Sequence, residues 1–281
     1  MKFGLAVSGR GNLKVLERMA LAAEEAGYDS FLVTDHFLLP GSSDHIDVWS
    51  FLPYLAGKTS RIRLGTCVTP LPFRQPAVLA KTIASCDVLS NGRVTLGAGF
   101  GWYRPEFDAF SKWFETGERI SYTREALELM LRLWSEEAPF DHHGRFIEAL
   151  GVVVEPKPVQ KPHPPILWGG HQPTSLRTAA RYADGWMPIG PRWFGDGYPS
   201  PAEYAEMKRA ILEEMKRCGR PAPDGFVFTN LINMADTKTL SADIDRYVEA
   251  GINYFTLGDK AKDEDSVRNV ARVAREIGGS I

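Results

Sequence analysis

The stretch Arg61–Trp102, RIRLGTCVTPLPFRQPAVLAKTIASCDVLSNGRVTLGAGFGW, constrains the fold more tightly than any other part of the chain. Ile62, Leu64, Thr66 and Val68 form a strand-like run that stops at Pro70 and Pro72, where no ladder donor exists. From Pro76 the period changes. Val78, Leu79, Thr82, Ile83, Cys86 and Leu89 recur at helical spacing, Pro76 suits a first helical turn, and Asn91-Gly92 closes the helix. Val94, Leu96 and Ala98 resume a strand that runs into Gly97-Ala98-Gly99-Phe100-Gly101-Trp102. Such a unit returns the chain to a parallel neighbour, so two strand ends stand side by side, with loops bare enough to admit a flat ligand.

The same alternation continues along the chain. Phe3–Val7, Ser30–Thr34, Ile166–Trp168, Gly185–Ile189, Phe226–Ile232 and Asn253–Leu257 read as further strands, each followed by a helical segment. Glu25-Ala26-Gly27-Tyr28 and Glu249-Ala250-Gly251-Ile252 both place a glycine cap between a helix and the next strand. About eight β–α repeats favour a (β/α)8 barrel over an open doubly wound sheet. A short helical piece at Pro105-Glu106-Phe107 precedes the fourth helix, Glu118–Trp134. Residues 136–165, rich in proline, read as an extended insertion between that helix and the fifth strand, within one domain spanning 1–281. Gly190–Ser200 reads as a lid over the barrel mouth.

Composition narrows the function. With 33 basic and 35 acidic residues the net charge is −2, which gives no field to recruit nucleic acid or an anionic membrane. The apolar start Phe3–Val7 is too short for a signal core, and no run approaches the ~18 apolar residues of a membrane span. A cytoplasmic protein is expected. Cys67, Cys86 and Cys218 lack the CxxC spacing of a zinc cage and do not suggest a disulfide frame.

In such a barrel chemistry sits at the carboxyl ends of the strands. Those ends carry Ser8, Asp35-His36, Cys67-Val68-Thr69, Gly99–Trp102, Gly169-Gly170-His171, Met187-Pro188 and Gly258-Asp259, a set poor in metal ligands. His36 is the titrating group there. It serves either as a proton carrier or as filling for a strand end, and strand alternation turns Asp35 to the opposite face. Asp44-His45 and His142-His143 read as solvated loop residues. Cys67 reads as a buried thiol rather than a nucleophile, and the Gly97–Gly101 glycines make a weak dinucleotide signature. Gly169-Gly170 ahead of a helix start reads either as a phosphate cradle or as a plain turn. Trp168, Trp186 and Trp193 read as core or lid residues.

Taken together, several segments resemble the bacterial luciferase-like monooxygenase family. They are Val33-Thr34-Asp35-His36-Phe37, Leu64–Pro70, Gln75-Pro76-Ala77, Leu89–Arg93, Leu96–Trp102, Pro164–Gly170 and Arg181–Trp186. The resemblance implies a TIM barrel that binds coenzyme F420 or reduced FMN. Thr34-Asp35-His36-Phe37 is most similar to the F420-dependent branch, where a histidine at the position of His36 acts as acid or base and an aspartate at that of Asp35 lies near the ring. It further implies a non-prolyl cis peptide at Cys67-Val68 backing the ring. Thr69, Phe100 and Gly101 would flank the cofactor, and Gly169, Gly170 and His171 would hold its phosphate. A homodimer is implied by family habit.

Two departures disfavour a glucose-6-phosphate substrate. Pro40-Gly41 stands where that branch has a tryptophan, and Phe100 stands where it has an acid. The expected function is hydride transfer between F420 and a small organic substrate. The alternatives are an FMN-dependent monooxygenase using O2 and fed by a separate reductase, or a barrel that holds flavin without catalysis.

Overall fold

The computed structural model describes residues 2–189, 199–221, 225–233, 240–258 and 262–276. Its elements are β1 (Lys2–Val7), α1 (Leu13–Ala26), β2 (Ser30–Val33), α2 (Val48–Ala56), β3 (Arg63–Thr66), β4 (Thr69–Pro70), α3 (Pro76–Leu89) and β5 (Val94–Gly99). There follow α4 (Arg104–Phe110), α5 (Thr116–Ser135), β6 (Phe140–His143), β7 (Glu148–Val152), β8 (Ile166–Gly169), α6 (Pro173–Tyr182) and β9 (Gly185–Met187). The last are α7 (Pro201–Arg217), β10 (Val227–Asn233), α8 (Leu240–Glu249), β11 (Tyr254–Gly258) and α9 (Glu264–Glu276).

Parallel strands run in the order β3, β2, β1, β11, β10, β9, β8, β5, and β5 pairs back onto β3 through Leu64–Val94 and Gly65–Thr95. That last pairing closes an eight-stranded barrel, with the helices outside it. The sequence reading of a (β/α)8 barrel therefore stands. The seam closes because two of its positions lack side chains. A Cβ on Gly65 would lie 2.2 Å from the Thr95 carbonyl oxygen, and one on Gly97 only 1.8 Å from that of Thr66.

The helix–strand junctions follow from backbone chemistry. Gly27 and Gly251 adopt φ of 89° and 94°. In both, the N–H after the glycine reaches back five residues, Tyr28 to Ala23 at 3.0 Å and Ile252 to Tyr247 at 3.0 Å. Orphan carbonyls at the helix ends are thereby satisfied. Most buried side chains lie between strands and helices; inside the barrel a smaller cluster of Ala6, Leu32, Cys67 and Met187 plugs the space under the carboxyl ends.

The insertion departs from the extended chain expected of it. β6 and β7 form an antiparallel hairpin. The Glu125 carboxylate of α5 straps it down, accepting from the N–H groups of Arg145, Phe146 and Ile147 at 3.1, 3.0 and 2.7 Å. Phe-Asp-His-His and Glu-Ala-Leu-Gly-Val are short and lack clean alternation, so no local period announces these strands. Of the expected lid only Pro199 and Ser200 are described; Trp193 and Asp259 also lie outside the described residues.

The seam yields a stability prediction. Gly97→Ala is expected to cost at least about 3 kcal/mol, because the obstructing atom is backbone and cannot rotate away. Gly117→Ala in the first turn of α5, where no atom lies within 4 Å, should instead gain about 0.5 kcal/mol. Urea unfolding of the two variants checks this, and equal midpoints would contradict the account of the seam.

Candidate active site

A cavity of about 880 Å³ opens at the carboxyl ends of the strands. Its floor and back wall are nearly bare: Ala6, Cys67, Gly99 and Gly169 line it together with Val68. The peptide bond between Cys67 and Val68 is cis. A Cβ on Gly99 or Gly169 would come within 3.0 Å of a Val68 methyl, so the glycines leave the room that Val68 occupies. Below, the Cys67 thiol sits 3.5 Å from the Met187 sulfur. Burial pushes that thiol up to about 12, which removes it as a nucleophile near neutral pH.

His36 stands on the side wall. Its Nδ1 lies 3.0 Å from Glu106 Oε2, while the other carboxylate oxygen accepts from the N–H groups of Phe37 at 2.5 Å and Leu38 at 3.1 Å. Glu106, on α4, is 1% exposed. Burial alone would raise its carboxyl, but His36 and the two N–H groups outweigh that and hold it below the ordinary range. An ionised carboxylate only accepts, so Nδ1 of His36 carries a hydrogen and Nε2 is the nitrogen left for a ligand. Trp102 packs edge-on against the imidazole, ring centres 6.2 Å apart.

Asp35 points the other way. Its carboxylate is buried and accepts from Arg74 Nε at 3.1 Å, Arg74 Nη2 at 2.7 Å and the Thr69 hydroxyl at 2.8 Å. Arg74 also donates to Asp47 at 2.6 Å, and Trp49 Nε1 donates to Thr69 at 3.0 Å. Burial raises the Asp35 carboxyl against the opposing pull of Arg74 and Thr69. Asp35 and Thr69 are thus absent from the cavity wall, whereas His36, Cys67, Val68, Phe100, Gly101, Gly169, Gly170 and His171 line it. Alternation along the strand end turns Asp35 away from the side that His36 faces.

The cavity also reaches the start of α6 and the Arg119 side chain. Gln172 caps α6 without a side-chain bond, Pro173 has no N–H, and the N–H groups of Thr174 and Ser175 have no partner among the described residues. Gly170, at φ 126°, brings the backbone against this terminus; a Cβ there would meet the Ser175 hydroxyl. On neighbouring α5, Arg119 is 9% exposed, stacks 4.0 Å over Trp113 and donates from Nη1 to the Phe114 carbonyl at 2.8 Å. Its Nε is buried without a partner. The start of α6 and the Arg119 guanidinium both line the cavity, and each of these groups favours an anion.

Glu106 and Arg119 were not among the site residues expected from sequence. Glu106 reads there as part of a short helix start, 70 residues from the histidine it holds, and nothing local signals the pairing. It also means that Phe100 does not leave the site without an acid. His45 departs from the solvated loop expected of it: both ring nitrogens are buried, and its ring stands edge-on to His36 at 6.4 Å. His142 is half-buried 3.8 Å from Glu125, while His143 is exposed. Trp168 and Trp186 belong to the core. Among the described residues no three His, Cys, Asp or Glu side chains group as metal ligands, and no helix is long and apolar enough to cross a membrane.

Comparison with known proteins places this site in context. An F420-dependent glucose-6-phosphate dehydrogenase of Kineococcus radiotolerans is 36% identical over 177 residues, 61% of this chain and 51% of that protein. An FMNH2-dependent dimethylsulfone monooxygenase of Pseudomonas putida is 28% identical over 169 residues, 59% of this chain and 46% of that one. The fold superposes on an F420-dependent secondary alcohol dehydrogenase in complex with an F420-acetone adduct with a TM-score of 0.85, at 20% identity and 98% coverage of both chains. The luciferase-like monooxygenase profile matches residues 1–276, and the chain belongs to that family.

Proposed function

We propose that this protein is an F420-dependent oxidoreductase acting on a small organic substrate, with His36 as its acid or base. One observation carries the reading: an imidazole whose Nδ1 is fixed by a buried carboxylate faces a cavity backed by bare glycine and Val68. The residues fit the cofactor. A wall of Gly99, Gly169 and Val68 suits a planar ring, and the Arg119 guanidinium and the uncapped start of α6, which both line the cavity, suit a phosphate. Gly169, Gly170, His171, Phe100 and Gly101 would complete the hold, while Asp35 and Thr69 brace the wall from behind through Arg74. When bound, F420 supplies a carbon centre that donates or accepts a hydride. The chain then has to move one proton at the substrate heteroatom, and His36 Nε2 is the group placed to do so. Trp102, Leu39 and Pro40 narrow the mouth and favour an apolar substrate body.

The dimethylsulfone monooxygenase relative motivates a second reading, an FMN-dependent monooxygenase supplied by a separate reductase. Fluorescence titration with F420 and with FMN distinguishes them. F420 is expected to bind, and Arg119→Met to weaken it about tenfold through loss of a charge-assisted contact; tight binding of FMN alone would reverse the assignment. Consumption of reduced cofactor with some member of a substrate panel is also expected, and its complete absence would favour a non-catalytic holder.

The proton assignment has its own test. In Glu106→Gln the amide oxygen can keep the Phe37 and Leu38 N–H groups while its NH2 faces Nδ1, which moves the imidazole hydrogen to Nε2. Turnover should fall about 100-fold with cofactor affinity kept, as in His36→Ala. Nitrogen NMR of labelled histidine reports the tautomer. Glu106 has a lowered folded value, so its contribution to stability is full above the ordinary carboxyl range and is lost as pH falls through the lowered value.

The exposed Val78, Val88 and Leu89 on α3 support a homodimer through the outer helices. Sedimentation should give the dimer mass, and Val78→Asp should shift it toward monomer; a native monomer would exclude this pairing.

A further inference from the structure

The hairpin of the insertion lies against the helix that carries Arg119. Its turn docks along α5: the Glu125 carboxylate accepts from the N–H groups of Arg145, Phe146 and Ile147, and the Arg145 guanidinium lies 3.8 Å from Glu118. Between these contacts the Phe146 ring stands edge-on to Tyr122 at 6.0 Å and to Phe114 at 5.9 Å, while Phe114 stacks on Tyr122 at 4.9 Å. Glu118, Tyr122 and Glu125 recur at helical spacing and so share one face of α5. Thr116, Arg119 and Ile120 of the same helix line the cavity.

The stretch between α4 and α5 has little backbone bonding of its own. Among the described residues the N–H groups of Lys112, Trp113 and Phe114 donate no hydrogen bond. Side chains fix it instead, Trp113 through Phe107 at 5.4 Å and Phe114 through Tyr122 and Phe146. This stretch in turn holds Arg119. The Phe114 carbonyl accepts from Arg119 Nη1 at 2.8 Å, and the Trp113 ring lies 4.0 Å from the guanidinium. A long arginine side chain binds an anion more tightly when its rotamer is fixed beforehand, because less freedom is lost on binding.

We propose that Phe146 is a positioning residue: by packing on Phe114 it sets the carbonyl and the Trp113 ring that fix Arg119, so that the hairpin preorganises the cavity for the anionic group of its ligand. This rests on the proposed binding of a phosphate-bearing cofactor. Among the described residues none of the hairpin lines the cavity. Its effect on binding therefore has to pass through α5 and the stretch before it, and Arg119 is the charged group at the end of that path.

The test is a double-mutant cycle, read by fluorescence titration with F420, or with FMN if only FMN binds. Phe146→Ala is expected to weaken binding about fivefold, Phe146→Tyr, which keeps the ring, to stay within about twofold of wild type, and Phe146→Ala to add nothing once Arg119→Met is in place. Additive losses in the double variant would overturn the proposal, since Phe146 would then act by a route other than Arg119; wild-type affinity in Phe146→Ala would overturn it too. A second arm needs no ligand. Nitrogen-15 NMR of labelled arginine reads solvent exchange at the buried Nε of Arg119, identified as the signal that Arg119→Met removes. Phe146→Ala should speed that exchange about tenfold in the free protein, and an unchanged rate overturns the proposal. If urea unfolding shows that Phe146→Ala does not fold, Phe146→Leu takes its place in both arms with the same expected directions. Binding of neither F420 nor FMN to the wild-type protein would be a failure of the functional reading alone, and the exchange arm would still decide the role of Phe146.

Discussion

Backbone presses on backbone where β5 returns to β3, and the crater at the top of the barrel exists because that contact can form. Leu64–Val94 and Gly65–Thr95 are the pairings of this seam, and Gly65 and Gly97 leave room for the facing carbonyls of Thr95 and Thr66. A sheet left open there would leave two edges with unpaired groups and would not bring β2, β3, β5 and β8 around one space. The glycines continue upward. Gly99 and Gly169 make room for Val68, so the geometry that closes the barrel also shapes the wall at which a ring can rest.

Two buried carboxylates then divide the work at the second strand end. Asp35 faces outward and receives Arg74 and Thr69, which ties the β2 end to the stretch after β3. Glu106 faces inward and receives His36 and two backbone N–H groups, which ties the same strand end to α4. Both carboxyls are met by donors; at Glu106 these outweigh burial and lower it, whereas at Asp35 burial outweighs Arg74 and Thr69 and raises it. Adjacent residues thereby serve opposite surfaces, one bracing the scaffold and one presenting a proton-carrying ring.

Much of this was legible beforehand. The change of period at Pro76, the glycine caps at Gly27 and Gly251 and the apolar strand runs follow from neighbours within a few residues, and they appear as expected. Placing His36 at a strand end and Gly169-Gly170 before a helix used the same local logic. The hairpin in the insertion was not legible, because what holds it lies on other elements: the Glu125 carboxylate takes its turn N–H groups, and Phe140, Phe146 and Val152 pack against the core.

By itself the sequence determined the alternation of strands and helices, the glycine caps and the position of one imidazole at a strand end, since these depend on backbone propensity and short-range spacing. Only the tertiary structure decided that Glu106 holds His36, that Asp35 and Thr69 turn from the cavity, that Arg119 and the start of α6 line the same cavity, and that the His45 ring nitrogens are buried. Each of those depends on groups distant in sequence meeting in space, where burial and the pairing of charges, rather than local periodicity, set the outcome.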